Sequence, residues 1–126
     1  MRAVDTNVLV RLVTRDDDKQ VAAAEVFVEK GAWVSHVVLA ETTWVLSAAY
    51  ELEHADIATA IEMLLNHKNL TLQDADVVAA ALDNYRGRSS LGFSDCLILE
   101  IARRTGHLPL GTFDKTLSKL EGAERL

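Results

Sequence analysis

The sequence predicts an α/β fold, in which helices flank a parallel sheet of four to five strands. Two observations support this prediction. Short apolar runs alternate along the chain with longer segments that carry apolar residues at helical spacing. Acidic residues also recur where an apolar run gives way to a helix, and open parallel sheets bind ligands beyond the carboxyl ends of their strands. Since no internal repeat or Pro/Gly-rich linker interrupts the 126 residues, we expect a single domain over 1–126.

The composition is that of an ordinary soluble domain, with 49% hydrophobic and 25% charged residues. Thirteen Lys and Arg against 19 Asp and Glu leave a net charge of −6. This balance alone does not indicate a nucleic-acid-binding protein, because neutralising phosphates takes Lys and Arg. No apolar run is long enough to span a bilayer, and the N-terminal residues do not resemble a signal peptide. The single cysteine, Cys96, suits a reducing compartment, so we expect a cytoplasmic protein without membrane contact.

The first strand and helix surround Asp5. Ala3 and Val4 precede this acid, and an apolar run from Val8 to Val13 follows it. Beyond the end of a strand, a carboxylate is costly to desolvate unless it meets a cation or hydrogen-bond donors. Asp is equally a favoured cap of the helix that follows. This stretch alone leaves a ligand-binding role and a capping role both open.

The middle of the chain predicts three more helices and two more strands. The helices cover about Asp18 to Lys30, His36 to Tyr50 and Ala55 to His67, and the strands cover Ala32 to Ser35 and Leu70 to Leu72. A further helix runs from Asp74 to about Tyr85. We assign Trp33, Trp44 and Tyr50 to core packing rather than to a partner surface.

Glu41 is the only Asp, Glu, Lys or Arg between Gly31 and Tyr50. An acid among apolar neighbours is almost never left unpaired. It lies near the start of a helix that follows a strand, which would bring it to the same sheet edge as Asp5. The alternative is that Glu41 pairs with an arginine elsewhere in the fold.

The last segment adds two more acids at comparable positions. Ser94 is the predicted cap of a helix that begins at Asp95, with Ile98 facing inward and Glu100 outward. Residues 108–114 form a fourth strand and its exit, with Thr112 and Asp114 just past the carboxyl end of the strand. A short helix over 115–120 and an edge strand over 123–126 follow. Cys96 has the pattern of a small buried hydrophobe, and no neighbouring base would activate its thiol.

Four acids therefore fall at strand ends or at helix starts that follow strands: Asp5, Glu41, Asp95 and Asp114. Clustered carboxylates raise one another's pKa unless a cation neutralises them, and oxygen-rich sites suit Mg²⁺ or Mn²⁺. The four histidines show no metal-ligand spacing, and one cysteine cannot build a zinc site. The pattern predicts a metal site made of carboxylates alone.

These residues resemble the PIN domain family and, within it, the VapC-type ribonuclease toxins. Four segments carry the resemblance in order: 4–11, 35–46, 92–98 and 110–114. It implies a three-layer α/β/α sandwich and a Mg²⁺- or Mn²⁺-dependent endoribonuclease that is the toxin of a toxin–antitoxin pair. It also implies a homodimer and a VapB-type antitoxin that blocks the site.

Under this resemblance, Asp5, Glu41 and Asp95 hold the metal, and Asp114 binds it directly or through water. The metal would activate a water that attacks phosphorus, which leaves 5′-phosphate and 3′-hydroxyl ends. The residues expected to orient the carboxylates or the water are Thr6, Asn7 and Thr112. The residues expected to contact RNA phosphates are Arg86, Arg88 and Lys115.

Two other functions remain open from the residues. In a non-catalytic PIN-like binding module, the acids would serve only as caps and ion pairs, and no divalent ion would bind. A phospho-aspartate phosphatase or receiver domain needs a nucleophilic Asp and normally a lysine near the phosphate. Here Asn7, not an acid, lies two residues after Asp5, and Lys115 has no partner motif.

Overall fold

The computed structural model describes all residues, 1–126, and contains six α-helices, one 3₁₀ helix and five short strands. The chain forms two compact units, Met1–Ala75 and Asp76–Leu126. None of the six helices combines the length and the apolar composition needed to cross a membrane. That the two units together form one domain stays a prediction.

The N-terminal unit is built around a three-stranded parallel sheet with the order β1-β2-β3. Its elements in chain order are β1 (Arg2–Ala3), α1 (Thr6–Thr14), α2 (Asp18–Val28), β2 (Ala32–Val34), α3 (His36–Ala48), α4 (His54–Asn66) and β3 (Leu70–Leu72). In register, Ala3 lies beside Trp33, and Trp33 lies beside Thr71. All three strands run in the same direction, so the residues that follow them emerge at one edge of this sheet.

Alternation within the strands decides which side chains enter the core. In β2, Ala32 and Val34 are buried while Trp33 between them is exposed, as a period of two residues requires. The most deeply buried side chains of this unit come from all four helices and from β2: Leu9, Val10, Val28, Val34, Leu39, Leu46, Ile61 and Leu64. Apolar burial of this kind is the main stabilising contribution to the unit.

A surface network joins three segments of the N-terminal unit. The Arg11 guanidinium lies 3.2 Å from Asp16 Oδ1 and donates to the Tyr50 hydroxyl at 3.0 Å. That hydroxyl in turn donates to Asp16 Oδ2 at 2.7 Å. Tyr50 therefore anchors the end of α3 to α1, and assigning it to core packing was wrong. Trp44 is also no core residue, since 69% of it is exposed.

The C-terminal unit contains two long helices and a two-stranded parallel sheet. Its elements are α5 (Ala75–Arg86), α6 (Phe93–Arg104), β4 (Leu110–Thr112), the 3₁₀ helix (Leu117–Lys119) and β5 (Ala123–Arg125). Thr112 and Arg125 are register partners at the carboxyl ends of β4 and β5. Gly122 precedes β5 with a φ of 93°, a left-handed conformation that favours glycine.

The α/β class, the parallel pairing and the count of five strands agree with the sequence prediction. The five strands form two sheets, of three and two strands, rather than the single sheet that we expected. Each strand is only two or three residues long, so each makes few ladder hydrogen bonds. β4 ends at Thr112, which we expected just past the strand, and the 3₁₀ helix is shorter than the helix predicted over 115–120.

The start and orientation of α6 differ from the prediction. Gly92 is the N-cap and Phe93 the first helical residue, so Asp95 is the third residue of the helix. The buried stripe consists of Phe93, Cys96, Leu97 and Glu100, which follow the i, i+3, i+4, i+7 spacing of one helix face. Ile98 lies off this stripe and is 51% exposed, so the inward assignment of Ile98 and the outward assignment of Glu100 were both wrong.

Candidate active site

Asp5 combines a capping role with an available carboxylate oxygen. It directly precedes α1, and its Oδ1 accepts the Val8 backbone N–H at 3.3 Å. Its side chain is exposed, and its second oxygen accepts no hydrogen bond from the protein. The cap orients the carboxylate at the sheet edge, so capping does not exclude ligand binding.

Glu41 is held by a residue adjacent to Asp5. The Thr6 side-chain hydroxyl, at the first position of α1, donates a hydrogen bond to Glu41 Oε1. Thr6 is buried, whereas Glu41 is exposed on α3 and pairs with no arginine, so the alternative of an arginine partner was wrong. The contact brings the start of α1 and the second turn of α3 together, and Thr6 lies where a residue that orients Glu41 would have to lie.

Asn7 faces a different part of the N-terminal unit. It lines a cavity of about 450 Å³ between α1 and α2, together with Arg11 and Phe27 among others. It forms no hydrogen bond with either Asp5 or Glu41. A role for Asn7 in orienting the carboxylates or a water stays a prediction.

Asp95 lies in the first turn of α6, where the helix dipole favours a negative charge. Its carboxylate accepts no hydrogen bond from the protein. A Cβ atom placed on Gly92 would come within 3.6 Å of Asp95 Oδ2, so the carboxylate lies over the backbone that begins the helix. Asp95 therefore retains both oxygens for a ligand.

Asp114 follows β4 by two residues and is exposed. Its Oδ1 accepts the Leu117 N–H at 2.8 Å, and its own N–H donates to Thr112 Oγ1 at 3.0 Å. Thr112 thus fixes the backbone of Asp114 and makes no hydrogen bond with its carboxylate. The second oxygen of Asp114 accepts no hydrogen bond from the protein.

The four acids share a chemistry that suits a hard divalent ion. None of them pairs with Lys or Arg, and each keeps at least one free carboxylate oxygen, the donor type that Mg²⁺ and Mn²⁺ prefer. The Thr6 side chain, directly after Asp5 in the chain, contacts Glu41. No group of three or more His, Cys, Asp or Glu side chains in the structure is arranged to hold a metal ion. A site made of all four acids stays a prediction.

The predicted phosphate contacts lie at the surface of the C-terminal unit. Arg88 is exposed and donates to the Asn84 carbonyl at 3.3 Å. Arg86, the last residue of α5, is exposed, and Lys115 is exposed next to Asp114. Their accessibility is compatible with RNA binding.

Glu100 is a buried charged residue whose importance sequence reasoning missed. It is only 8% exposed and accepts hydrogen bonds from Asn84 Nδ2 at 3.0 Å and from Arg103 Nε at 3.3 Å. Arg103 also donates to the Glu121 carbonyl at 2.6 Å. The signal in the sequence was the helical spacing of Glu100 with Phe93, which puts both on the same face.

Cys96 has no catalytic role. It is fully buried, and burial raises the pKa of its thiol to about 11. The thiol is therefore protonated at neutral pH, as the sequence pattern predicted.

The structure is an α/β protein in which short parallel strands precede carboxylates with free oxygens. The sequence profile of the PIN domain matches residues 2–123, and the chain belongs to the PIN domain family. PIN domains are generally nucleases, which are hydrolases. The match names the family and not the VapC-type toxins within it. No curated protein and no solved structure gave a significant match to the chain.

Proposed function

We propose that this PIN domain is a Mg²⁺- or Mn²⁺-dependent endoribonuclease and the toxin of a VapC-type toxin–antitoxin pair. Family membership supports a nuclease. The observation that carries the proposal furthest is the Thr6 hydroxyl bound to Glu41 directly beside Asp5. This contact fixes Glu41, in the second turn of α3, against the residue that follows Asp5, and each of the two acids keeps a free oxygen.

In this proposal, Asp5, Glu41 and Asp95 are metal ligands, with Asp114 binding directly or through water. A bound Mg²⁺ or Mn²⁺ would supply an activated water and screen the phosphodiester charge. Thr6 keeps Glu41 from rotating, and the 3₁₀ helix cap does the same for Asp114. Such ordering of carboxylates before a ligand binds lowers the entropic cost of binding it.

The RNA would be held by cations outside the carboxylate positions. The residues proposed for phosphate contacts are Arg86, Arg88 and Lys115. A small number of such contacts gives modest affinity that falls as salt rises. The net charge of −6 is compatible with this, because part of it comes from the four acids, which a bound cation would offset.

The proposed partners are a VapB-type antitoxin and a second copy of this chain, in the cytoplasm. Exposed apolar residues on α3 support a protein-contact surface next to Glu41. Val37 and Trp44 are seven residues apart, on one helix face, and both are largely exposed. Apolar exposure of this extent is typical of protein-contact sites.

A cleavage assay tests the proposal. Purified protein is incubated with mixed transfer and ribosomal RNA in Mg²⁺, Mn²⁺ or EDTA, and wild type is compared with Asp5→Asn and Asp95→Asn. We expect cuts at a few positions, abolished by EDTA and by both substitutions, with 5′-phosphate and 3′-hydroxyl ends. Asp83→Asn, on the exposed face of α5, is the matched control and should cleave normally. Cleavage that survives both substitutions, or cyclic phosphate ends, would contradict the proposal.

A non-catalytic PIN-like binding module is the second candidate. The observation in its favour is that Asp5 and Asp114 already serve as caps, of α1 and of the 3₁₀ helix. This candidate requires that neither Mg²⁺ nor Mn²⁺ binds in a calorimetric titration. Binding that disappears in Asp5→Asn would eliminate it. The family match gives no support to a phospho-aspartate phosphatase or receiver domain.

A further inference from the structure

Phe113 is the most exposed of the large hydrophobic side chains, at 80%. It lies between Thr112, the last residue of β4, and the predicted metal ligand Asp114. A phenyl ring presented almost entirely to solvent beside a candidate catalytic acid is accessible to any ligand that reaches that acid.

The backbone on both sides of Phe113 is fixed. The Thr112 carbonyl accepts the Leu126 N–H at 2.9 Å, and the Thr112 hydroxyl accepts the Asp114 N–H at 3.0 Å. Asp114 in turn accepts the Leu117 N–H at 2.8 Å. The backbone that carries the exposed ring is therefore ordered. This order limits the conformational entropy lost when a ligand packs on the ring.

Two cations that pair with no carboxylate lie near Phe113, one along the chain and one across the β4–β5 strand pair. Lys115 is two residues further on, and Arg125 is the register partner of Thr112 across the β4–β5 pair. Both are exposed. An aromatic ring next to cations that can contact phosphates is the combination that proteins use to bind single-stranded nucleic acid.

We propose that Phe113 is a stacking platform for one unpaired base of single-stranded RNA, with Lys115 and Arg125 contacting the flanking phosphates. This inference rests on the proposed ribonuclease function and assigns the residue that would bind a base next to the cleaved bond. An unpaired base can place its π-face on the ring, whereas a base within a duplex is covered by its neighbours. The enzyme would therefore select loops or single strands, at a phosphodiester next to the stacked base.

The test separates RNA binding from cleavage. A fluorescently labelled single-stranded RNA is titrated with Asp95→Asn protein, which binds without cutting, and anisotropy gives the dissociation constant. Adding Phe113→Ala should weaken binding about tenfold, the size of one lost base–aromatic stack. Phe113→Tyr should retain binding, and Val26→Ala, another exposed apolar residue on α2, should change nothing. The melting temperatures of all variants should agree, because both positions are exposed.

Three results would contradict the inference, and the first two of them leave the proposed function standing. Unchanged affinity in Phe113→Ala would overturn the stacking role while leaving the nuclease in place. Duplex RNA that binds as tightly, with the same loss in Phe113→Ala, would overturn the preference for unpaired bases. If the Asp95→Asn protein bound no RNA, both the inference and the ribonuclease proposal would fall. Lys115→Gln and Arg125→Gln should each flatten the dependence of affinity on salt, as loss of one phosphate contact requires.

Discussion

Each of the two units of this PIN domain contains two of the four predicted acids. The first acid is held in the same way in both units, and the second is held differently. Asp5 and Asp114 each follow a short parallel strand, and each accepts the backbone N–H three residues later. In the N-terminal unit the second acid, Glu41, is also fixed, by the Thr6 hydroxyl. In the C-terminal unit the second acid, Asp95, accepts no hydrogen bond. The fold itself orders Asp5 and Glu41 through hydrogen bonds, whereas no hydrogen bond orders the Asp95 carboxylate.

The polar networks of the two units differ in burial. Arg11, Asp16 and Tyr50 form their network at the surface, where water screens charge and competes for hydrogen bonds. Asn84, Glu100 and Arg103 form theirs around a carboxylate that is nearly buried. Losing a partner should therefore reduce stability more in the buried network than in the surface network, because an unpaired charge is far more destabilising inside a protein than at its surface.

Substituting the two acids of the C-terminal unit should have the largest effect. We expect Asp95→Asn and Asp114→Asn each to lower the RNA cleavage rate about 100-fold or more, because each loses a carboxylate that the metal requires. Neither should lower the melting temperature, since Asn can also cap the 3₁₀ helix at position 114. Initial cleavage rates and thermal unfolding, measured on the same preparations, check both statements.

Asp114→Ala sharpens the comparison, because it removes the cap as well as the charge. It should lose activity as Asp114→Asn does and also lose about 1 kcal/mol of stability. Asp95→Ala should lose activity with a smaller loss of stability, since Asp95 accepts no capping hydrogen bond and only its interaction with the α6 dipole is removed. A normal cleavage rate in Asp95→Asn would show that Asp95 lies outside the site.

Breaking the buried network should destabilise the C-terminal unit. Glu100→Ala removes the acceptor of the Asn84 amide and of Arg103 Nε, while Arg103 keeps the Glu121 carbonyl, and we expect it to lower the free energy of unfolding by about 2 kcal/mol. Glu100→Gln should lose less, because its amide oxygen can still accept one of the two hydrogen bonds. Urea denaturation measures both changes, and Asp83→Ala on α5 serves as the exposed control. A loss no larger than that of the control would show that Glu100 contributes nothing through its partners.

Local signals in the sequence predicted most of the element order. β3 has its predicted limits, and α3 begins at His36 as predicted, because strand period and cap chemistry depend on near neighbours. The orientation of α6 could not be predicted in the same way. An apolar Ile98 and a charged Glu100 suggest that Ile98 faces inward. Glu100 is buried instead, because it has hydrogen-bond partners on α5 and on α6 itself.

The sequence indicated which residues belong to the candidate site, but not how they are arranged in space. The four acids stand out by position, and Thr6 was expected to orient a carboxylate. Its contact with Glu41, 35 positions away, depends on the packing of α1 against α3, which no local pattern specifies. The exposure of Phe113 was missed for a similar reason, since an apolar residue after a strand is ordinarily assigned to the core.

Removing the Thr6 hydroxyl tests whether the order of the N-terminal pair matters. Thr6→Val keeps the shape of the side chain but leaves Glu41 without its donor, and we expect metal affinity to fall about tenfold. Thr6→Ser restores the hydroxyl and should restore the affinity. Titration calorimetry with Mn²⁺ measures the dissociation constant directly. Equal affinities in wild type and Thr6→Val would mean that the hydroxyl serves only to join α1 and α3.

The surface network of the N-terminal unit should show the smallest effect, and one that depends on pH. The Tyr50 hydroxyl, and then the Thr14 hydroxyl, donate to Asp16 and lower the pKa of that carboxyl. The folded protein then binds its proton less readily than the unfolded chain does. The resulting stabilisation is complete above the unfolded-state pKa of about 3.9 and disappears as pH falls through the lower folded-state pKa.

Tyr50→Phe removes the main cause of that shift, so it should lower the melting temperature at neutral pH by a small amount. The difference from wild type should shrink as the solution is acidified below about pH 4, because protonated Asp16 no longer favours the Tyr50 donor. The part that persists reflects the Arg11 hydrogen bond to the hydroxyl, since Arg11 stays charged throughout. Asp16→Asn should make the effect of Tyr50→Phe independent of pH. If the difference in melting temperature between wild type and Tyr50→Phe grew on acidification, it would contradict the lowered pKa of Asp16.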